Sequence, residues 1–305
     1  MAARQTALFG VFLALAAGTL FSFGSLTVRL SPSLDAVQYL LWRCFGLLPL
    51  MLIAALLQRK SPIEQLRAGG WLGLAGAICM TVMADLFIFA MKTTTIANAL
   101  LFSSASPLFA AILARLILKE RILLFTWLGI VVGLAGLLIM TWGELGSGNA
   151  IGNIAAFGVS LAYGLYSVIA RMGRDRDMSG VMIGWAALTI VTCGLFMLAT
   201  GSSFATPMAE NAAALFHGIV FIAGGMYLLN TAARFVGAGR LLLLAQTETI
   251  LGPVWVLIFF AEVPRLTTII GGAVLLSGVV LSAFARGERP VAVEEESEVA
   301  ARASV

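Results

Sequence analysis

The stretch LFAAILARLILKER, residues 108–121, is a run of apolar residues that ends in a cluster of charges. A second stretch, GPVWVLIFFAEVPR, residues 252–265, has the same form. Each run ends near a glutamate, Glu120 in the first and Glu262 in the second. The recurrence indicates that the chain contains two copies of one unit built from long apolar segments.

The composition of the whole chain excludes a soluble protein. Of its 305 residues 60% are apolar and 11% are charged, and the mean hydropathy is +1.01, so polar residues are too few to cover a water-exposed surface. A membrane-spanning helix needs roughly 20 mostly apolar residues, whereas β-barrel strands would give short alternating segments. We therefore predict an all-α, polytopic membrane protein with ten transmembrane helices, at 7–29, 35–57, 70–91, 95–117, 123–142, 151–171, 179–200, 212–234, 239–261 and 266–285.

The spacing from Glu120 to Glu262, which we call the repeat offset, recurs along the chain. Residues 1–146 and 147–286 are therefore predicted to be two five-helix repeats, followed by a disordered cytoplasmic tail at 287–305. Because five is odd, the second repeat enters the membrane from the opposite side, which gives the inverted-repeat architecture of secondary transporters. The repeat offset aligns Gly10 with Gly152, Arg29 with Arg171, Gly76 with Gly218, Leu86 with Leu228, Lys92 with Arg234, Gly129 with Gly271 and Gly136 with Gly278.

The distribution of Lys and Arg predicts the orientation, because basic connections stay on the cytoplasmic side. With the N-terminus inside, fourteen basic residues fall on inner segments and only three, Arg29, Lys92 and Arg265, fall on outer ones. Both termini are therefore predicted to be cytoplasmic. The predicted location is the plasma membrane, which in a bacterium is the inner membrane.

Two pairs of segments resemble a known family. TTIANALLFSSASPLFAAILARLILKERI followed by GIVVGLAGLLIM in the first half, and LLLLAQTETILGPVWVLIFFAEVP followed by GGAVLLSGVVL in the second, are similar to the two repeats of EamA-type proteins in the drug/metabolite transporter superfamily. The resemblance covers about residues 7–286. It implies a secondary-active transporter that exports or exchanges small metabolites, often amino acids or related compounds, through a cavity between the halves by alternating access.

Three ionisable residues fall deep inside predicted helices, where a charge is costly and functional roles are common. They are Arg43 in the second helix, Asp85 in the third and Glu248 in the ninth. Arg43 and one carboxylate can form a static ion pair that locks the bundle, or these groups can bind the substrate directly. A carboxylate in a low-dielectric cavity can also bind a proton, so that transport is coupled to protons or to a counter-substrate.

Polar residues recur at equivalent positions of the two repeats and are predicted to line a central cavity. On helix four, Asn98, Phe102 and Ser106 follow helical spacing and share one face. Serine hydroxyls often bond to the backbone of their own helix, so a structural role stays open for them. The equivalent polar pairs are Asp85 with Tyr227, Ser104 with Gln246 and Ser106 with Glu248.

Four further residues are predicted to have structural or gating roles. Pro107 and Pro253 each free a carbonyl one turn back, which gives either a packing kink or a polar contact at the cavity. Glu120 and Glu262 each stand at a helix C-terminus, where the helix dipole opposes a carboxylate. We predict that each accepts hydrogen bonds from the start of the following helix, five or ten; the alternative is an ordinary solvated charge.

Other classes of function find little support in the sequence. There is no GxxxxGK[ST] loop, and the single histidine, His217, is predicted to be an interfacial residue, so we expect no enzyme activity, cofactor or metal site. A channel or a non-transporting membrane scaffold is the alternative to a carrier. The expected partners are a small-molecule substrate and the lipid bilayer, not nucleic acid. Glycines on helices five and ten fit packing within a protomer as well as a dimer seam, so the oligomeric state is open.

Overall fold

The computed structural model describes residues 2–120, 122–143 and 150–284, and the predicted tail at 287–305 lies outside them. Within the described residues the chain forms helices joined by short connections, without a strand. Nine of its helical segments there are long and apolar enough to cross a membrane, and the last helix has a shorter apolar part, so the count of ten stays a prediction. The helices are α1 (Ala2–Ser22), α2 (Gly24–Arg29), α3 (Ala36–Leu57), α4 (Pro62–Ala68), α5 (Gly70–Thr93), α6 (Ile96–Ser103), α7 (Ser106–Ile117), α8 (Leu124–Gly143), α9 (Ala150–Met172), α10 (Gly180–Thr200), α11 (Met208–Phe216), α12 (Ala223–Ala232), α13 (Ala238–Ala245), α14 (Thr247–Phe260) and α15 (Leu266–Phe284), with a π-helical segment, His217–Ile222, between α11 and α12.

Several of the apolar segments are interrupted part-way. The break between α6 and α7 has a local cause: Pro107 has no N–H, so the carbonyl of Ser103 lacks its helical donor, and the Ser106 hydroxyl donates to it at 2.5 Å. The break between α13 and α14 falls at Gln246, the residue that the repeat offset aligns with Ser104. Interrupted helices inside a membrane leave backbone groups available for a ligand, so these two breaks mark where to look for a site.

Glycines bring α8 and α15 into direct backbone contact. A Cβ added at Gly129 would lie 2.5 Å from the carbonyl oxygen of Gly278, and one added at Gly136 would lie 2.5 Å from that of Gly271. No side chain fits at these positions, and small residues are what allow membrane helices to approach so closely. These glycines are therefore used for packing inside the protomer.

Contacts between helices occur in matched pairs. α5 packs against α9 and α12 packs against α1, while α7 packs against α9 and α14 against α1. α3 packs against α10. The repeat offset relates the contact of α5 with α9 to that of α12 with α1, and the contact of α7 with α9 to that of α14 with α1. This correspondence is expected if the two halves are related.

Large apolar side chains cover the outside of the bundle. Phe12 is 66% exposed, Leu138 is 70% exposed and Trp142 is 79% exposed. Such a surface is unfavourable in water and suits the hydrocarbon of a bilayer, where the helices satisfy their own backbone groups. The protein is integral to a membrane.

Candidate functional site: a buried polar centre and two ion-paired ends

Arg43 is buried in α3, against α10. Only 2% of its surface is accessible, and its guanidinium carbon lies 5.7 Å from the centroid of the Trp185 ring. Trp185 is the residue that the repeat offset aligns with Arg43, so equivalent positions of the two halves meet here. A cation over an indole face is attracted by the ring quadrupole, and this attraction favours one plane for the guanidinium.

Polar atoms around this contact lack hydrogen-bond partners among the described residues. A buried polar group without a partner costs roughly 1–3 kcal/mol, and more when it is charged. Arg43 and Asp85 do not form an ion pair within 4.0 Å, since the four ion pairs of the described residues join other side chains. The static lock that the sequence left open is therefore not formed in this conformation. The unpaired atoms are Nε and Nη2 of Arg43, Oδ1 of Asp85, Nε1 of Trp185 and Oγ1 of Thr189.

Glu248 lies in the first turn of α14, just after the break at Gln246. Among the described residues its carboxylate has no hydrogen-bond or ion-pair partner. Tyr163 of α9 lies within electrostatic reach of it and stacks on Tyr166, with ring centroids 6.1 Å apart. Tyr163 is 40% exposed. Glu248 is partly accessible as well.

Asn98 of α6 uses its whole side chain in a buried network. Its Nδ2 donates to Thr94 Oγ1 and to Asn153 Oδ1, both at 3.4 Å, and its Oδ1 accepts a hydrogen bond from Thr268 Oγ1 at 2.8 Å. The network joins α6 to α9 and α15. In this conformation Asn98 holds helices together and is not free to bind a ligand.

The other predicted residues of the fourth segment are also buried. Phe102 is 2% exposed, and the Ser160 hydroxyl of α9 donates to its carbonyl. Ser104 donates to the carbonyl of Leu101 at 2.7 Å, and Ser106 donates to the carbonyl of Ser103 across the break, as described above. The hydroxyls of both serines therefore take the structural role that the sequence left open.

The predicted residues of the second half are more accessible. Gln246 is partly exposed, and its Oε1 accepts a hydrogen bond from Thr249 at 2.9 Å, which braces the first turn of α14. Pro253 lies inside α14 without ending it. Tyr227 lies on α12 and is 72% exposed, so it is not part of the buried cluster around Arg43.

A network around Arg29 and Glu262 closes one end of the bundle, which we call the Arg29 end. Nε of Arg29 donates to Glu262 Oε2 at 2.7 Å, while its other nitrogens donate to the carbonyls of Met91 at 3.0 Å and Thr94 at 3.2 Å. Glu262 Oε1 accepts a hydrogen bond from the backbone N–H of Ile96 at 2.8 Å. These bonds join the ends of α2, α5 and α14 to the start of α6.

The predicted partner of Glu262 is therefore wrong. The carboxylate caps the N-terminus of α6, not that of α15, which follows it in the chain. A helix N-terminus does stabilise a carboxylate, as the prediction assumed, because its first N–H groups are unpaired. The N-terminus that is nearest in space belongs to the other half of the chain, which sequence order does not reveal.

The matching pair lies at the opposite end, which we call the Arg171 end. Nη1 of Arg171 donates to Glu120 Oε2 at 3.1 Å. The side chains of this pair are 34% and 51% exposed, against 24% and 20% for Arg29 and Glu262. Among the described residues Arg171 has no further hydrogen bond, whereas Arg29 has two. The Arg29 end is thus the more tightly closed of the two.

A second contact at the Arg171 end joins two connections. Lys60, after α3, donates to Asp177, before α10, at 2.6 Å. This hydrogen bond, with others from Ser179, holds the pKa of Asp177 at about 2. The pair therefore stays ionised down to acidic pH.

His217 is buried inside the protein, and its predicted position at the membrane interface stays a prediction. It is 3% exposed, and its Nδ1 shares a hydrogen bond with the Tyr39 hydroxyl at 2.7 Å. The same hydroxyl bonds to Thr27 Oγ1, also at 2.7 Å. The chain Thr27–Tyr39–His217 connects α2, α3 and the π-helical segment. A tyrosine and a histidine near predicted helix ends gave no signal of this pairing, because their separation in sequence is 178 residues.

The comparisons with known proteins agree with this fold. The sequence profile of the EamA-like transporter family matches residues 8–142 and again residues 150–284. The chain belongs to the EamA-like transporter family. It is a membrane transporter, as the resemblance implied, and its family assignment is confirmed.

Named relatives of this EamA-like transporter are themselves transporters. Solute carrier family 35 member G1 of Homo sapiens is 26% identical over 280 residues, which cover 87% of this chain and 75% of that protein. The uncharacterized transporter YdfC of Bacillus subtilis is 24% identical, covering 77% of each chain. A solved crystal structure matches with a TM-score of 0.62 and 20% identity, covering 92% of this chain and 99% of the other. That last likeness concerns the fold alone.

Proposed function

We propose that this EamA-like protein is a secondary-active transporter that exports or exchanges small organic metabolites by alternating access. The observation that carries the proposal is the difference between its two ends. The same arginine–glutamate pair occurs at both, yet it is less exposed at the Arg29 end, where Arg29 also donates to two carbonyls, than at the Arg171 end. A carrier alternates between states that are closed at one end or the other, and this conformation fits a state closed at the Arg29 end.

The proposed architecture is an inverted repeat of two five-helix units. Two matches of one family profile support it, since the second match begins one repeat offset after the first. The matched helix contacts of α5 with α9 and of α12 with α1 support it as well. Two similar halves of opposite orientation give the two end states similar energies, which a reversible carrier needs.

Glu248 is the proposed coupling residue. It has no hydrogen-bond or ion-pair partner among the described residues and is partly accessible, so a proton or a charged counter-substrate can reach it. Asp85 is the second candidate, because its Oδ1 has no hydrogen-bond partner among the described residues. Ionisable groups inside a bilayer are rare and usually mark such pathways.

The proposed location is the plasma membrane, with both termini in the cytoplasm. The excess of Lys and Arg in the connections assigned to the inside supports this orientation. On this orientation the Arg29 end faces out and the Arg171 end faces in. The conformation is then closed to the outside.

Counterflow in proteoliposomes tests the proposal. Metabolites that accumulate outside cells overexpressing the full chain identify candidate substrates, and each is then loaded inside vesicles containing the purified protein. We expect saturable uptake of labelled substrate driven by the same unlabelled compound inside. Conductance without saturation would indicate a channel, and neither activity for any accumulated metabolite would indicate a scaffold.

The coupling role needs its own variants. Glu248→Gln and Asp85→Asn are compared with Glu64→Gln, which changes an exposed carboxylate on α4. We expect uptake driven by a pH gradient to be lost in Glu248→Gln and kept in Glu64→Gln, while counterflow at equal pH persists in both. Full pH-driven uptake in both Glu248→Gln and Asp85→Asn would reject coupling through these carboxylates.

A further inference from the structure

Several donors around Arg43 lack a hydrogen-bond acceptor in suitable geometry, although the Cys44 thiol lies next to both Arg43 and Thr189. Nε and Nη2 of Arg43, Nε1 of Trp185 and Oγ1 of Thr189 are buried, and none has a hydrogen-bond partner among the described residues. Arg43 is 2% exposed, Trp185 is 4% exposed and Thr189 is fully buried. Trp185 and Thr189 are one helical turn apart on α10, so they share one face of that helix.

The two free nitrogens of Arg43 lie on one edge of the guanidinium. Their N–H bonds point in parallel, and that spacing matches the two oxygens of a carboxylate in a bidentate pair. Trp185 lies against this group and orients it. By contrast, the corresponding Nε of Arg29 already binds Glu262. Arg43 therefore presents an oriented edge that suits a carboxylate and has no acceptor among the described residues, although surrounding atoms cover this edge in the present conformation.

Asp85 supplies the unpaired acceptor of the cluster. Its Oδ1 is buried without a partner among the described residues, while the residue as a whole is partly accessible. Asp85 and Arg43 are near enough to influence each other electrostatically without forming an ion pair. A ligand between them would separate one positive and one negative side chain.

We propose that Arg43, Trp185 and Thr189 bind the carboxylate group of the transported metabolite, and that Asp85 accepts a hydrogen bond from a hydroxyl or ammonium group of the same molecule. This inference rests on the proposed transport function and assigns the chemistry of its ligand. The charges of the cluster favour a ligand with one carboxylate over a dianion. A dianion such as a phosphate monoester would meet only one cation and the nearby carboxylate of Asp85, in a low-dielectric setting where like charges repel strongly.

Thermal unfolding of the purified full-length protein in detergent tests the site without requiring transport. The probes are formate, lactate and alanine, each compared at the same concentration with its amide: formamide, lactamide and alaninamide. Because the amide keeps the shape and loses the carboxylate, we expect the melting temperature to rise with the carboxylates and not with the amides. Lactate and alanine should act at lower concentrations than formate, since only they can also donate to Asp85.

Variants assign the effect to the cluster. Arg43→Gln removes the charged edge, and Arg43→Lys keeps the charge without the bidentate geometry. We expect each to weaken carboxylate binding by about 10- to 100-fold, the loss of a charged hydrogen-bonded pair. Thr189→Val keeps the shape and should weaken binding by about 3- to 10-fold, as for one neutral hydrogen bond. Arg67→Gln, an exposed change on α4, is the matched control and should bind normally.

Each outcome decides the proposal. Equal stabilisation by carboxylates and amides, no stabilisation by any of the three carboxylates, or an unchanged response in both Arg43 variants would overturn it. Folding of Arg43→Gln is expected, because the two nitrogens of that edge have no partner to lose among the described residues. Carboxylate binding without counterflow would keep the site and reject the transport function, whereas counterflow that survives Arg43→Gln would keep the carrier and reject the site.

Discussion

Arg29 and Glu262 form an ion pair of 2.7 Å at one end of the bundle, and each belongs to a different half of the chain. The residues at the equivalent positions, Arg171 and Glu120, form the same pair at the other end at 3.1 Å. Each half therefore gives an arginine to the glutamate of the other half. In this conformation the Arg29–Glu262 pair is less exposed than the Arg171–Glu120 pair, so a motion that exchanged their environments would also exchange which end is more tightly closed.

The two glutamates should differ in their effect on stability. Glu262→Gln removes a shielded ion pair and weakens the cap on the Ile96 N–H, so we expect the free energy of unfolding to fall by about 1.5–3 kcal/mol, the usual range for hydrogen bonds to a charged group. Glu120→Gln changes an exposed pair and should cost about 0–1 kcal/mol. Thermal melts of both purified variants measure the difference. Equal losses would show that the two ends are equally closed in solution.

Reversing the charges separates the ion pair from the helix cap. Arg29→Glu alone leaves two carboxylates facing each other at the Arg29 end, and we expect it to be the least stable variant. Adding Glu262→Arg should restore part of the stability, because the pair is re-formed while the carboxylate cap on Ile96 is still missing. Measured melting temperatures of the two single variants and the double variant give the coupling. No recovery in the double variant would mean that the cap dominates.

The pairing of these residues could have been found in the sequence only in part. The alignment of Arg29 with Arg171 and of Glu120 with Glu262 identified four matched charges at helix ends, and the apolar runs gave the helical membrane fold. Which arginine meets which glutamate depends on how the halves pack. Local reasoning assigned Glu262 to the following helix, since it had no information about contacts across 166 residues, the separation of Glu262 from Ile96.

The central site shows the same limit. Arg43, Asp85 and Glu248 were recognisable because a charge inside an apolar run is rare and costly. Trp185 and Thr189 gave no such signal, since a tryptophan or a threonine is ordinary in a membrane helix. Asn98 was predicted to face the cavity, and only its three partners reveal that it is fully bonded. Contact of these residues with a substrate is a prediction.

Single cysteines test the orientation. In a variant lacking the three native cysteines, Ser202→Cys, between α10 and α11, should react with an impermeant thiol reagent added outside intact cells, and Ser61→Cys, between α3 and α4, should not. A matching external site at Gly146 lies outside the described residues. Strong external labelling of Ser61→Cys would reverse the assignment of the Arg29 end to the outer side.

The glycine seam between α8 and α15 should tolerate no added carbon. Gly136→Ala places a Cβ 2.5 Å from the backbone of Gly271, which cannot move aside as a side chain can, so we expect destabilisation of about 1–3 kcal/mol. Gly194→Ala on α10 is the control, because a Cβ there meets nothing within 4 Å. It should be neutral or stabilising by up to about 1 kcal/mol through helix propensity. Comparable melting temperatures for the two variants would show that the seam is loose.

The Tyr39 hydroxyl should be the most important of the buried hydroxyls for stability. It bridges Thr27 Oγ1 and His217 Nδ1, each at 2.7 Å. Thr27 Oγ1 also donates to the carbonyl of Gly24, so Tyr39→Phe leaves His217 Nδ1 buried without a partner among the described residues and should cost about 1–3 kcal/mol. Tyr163→Phe is the matched control, since among the described residues the Tyr163 hydroxyl has no hydrogen-bond partner and its ring is partly accessible. We expect that variant to melt like the wild type while altering substrate affinity, because its partly exposed ring lies within electrostatic reach of Glu248. Wild-type stability in Tyr39→Phe would mean that the chain from Thr27 to His217 is not maintained in the membrane.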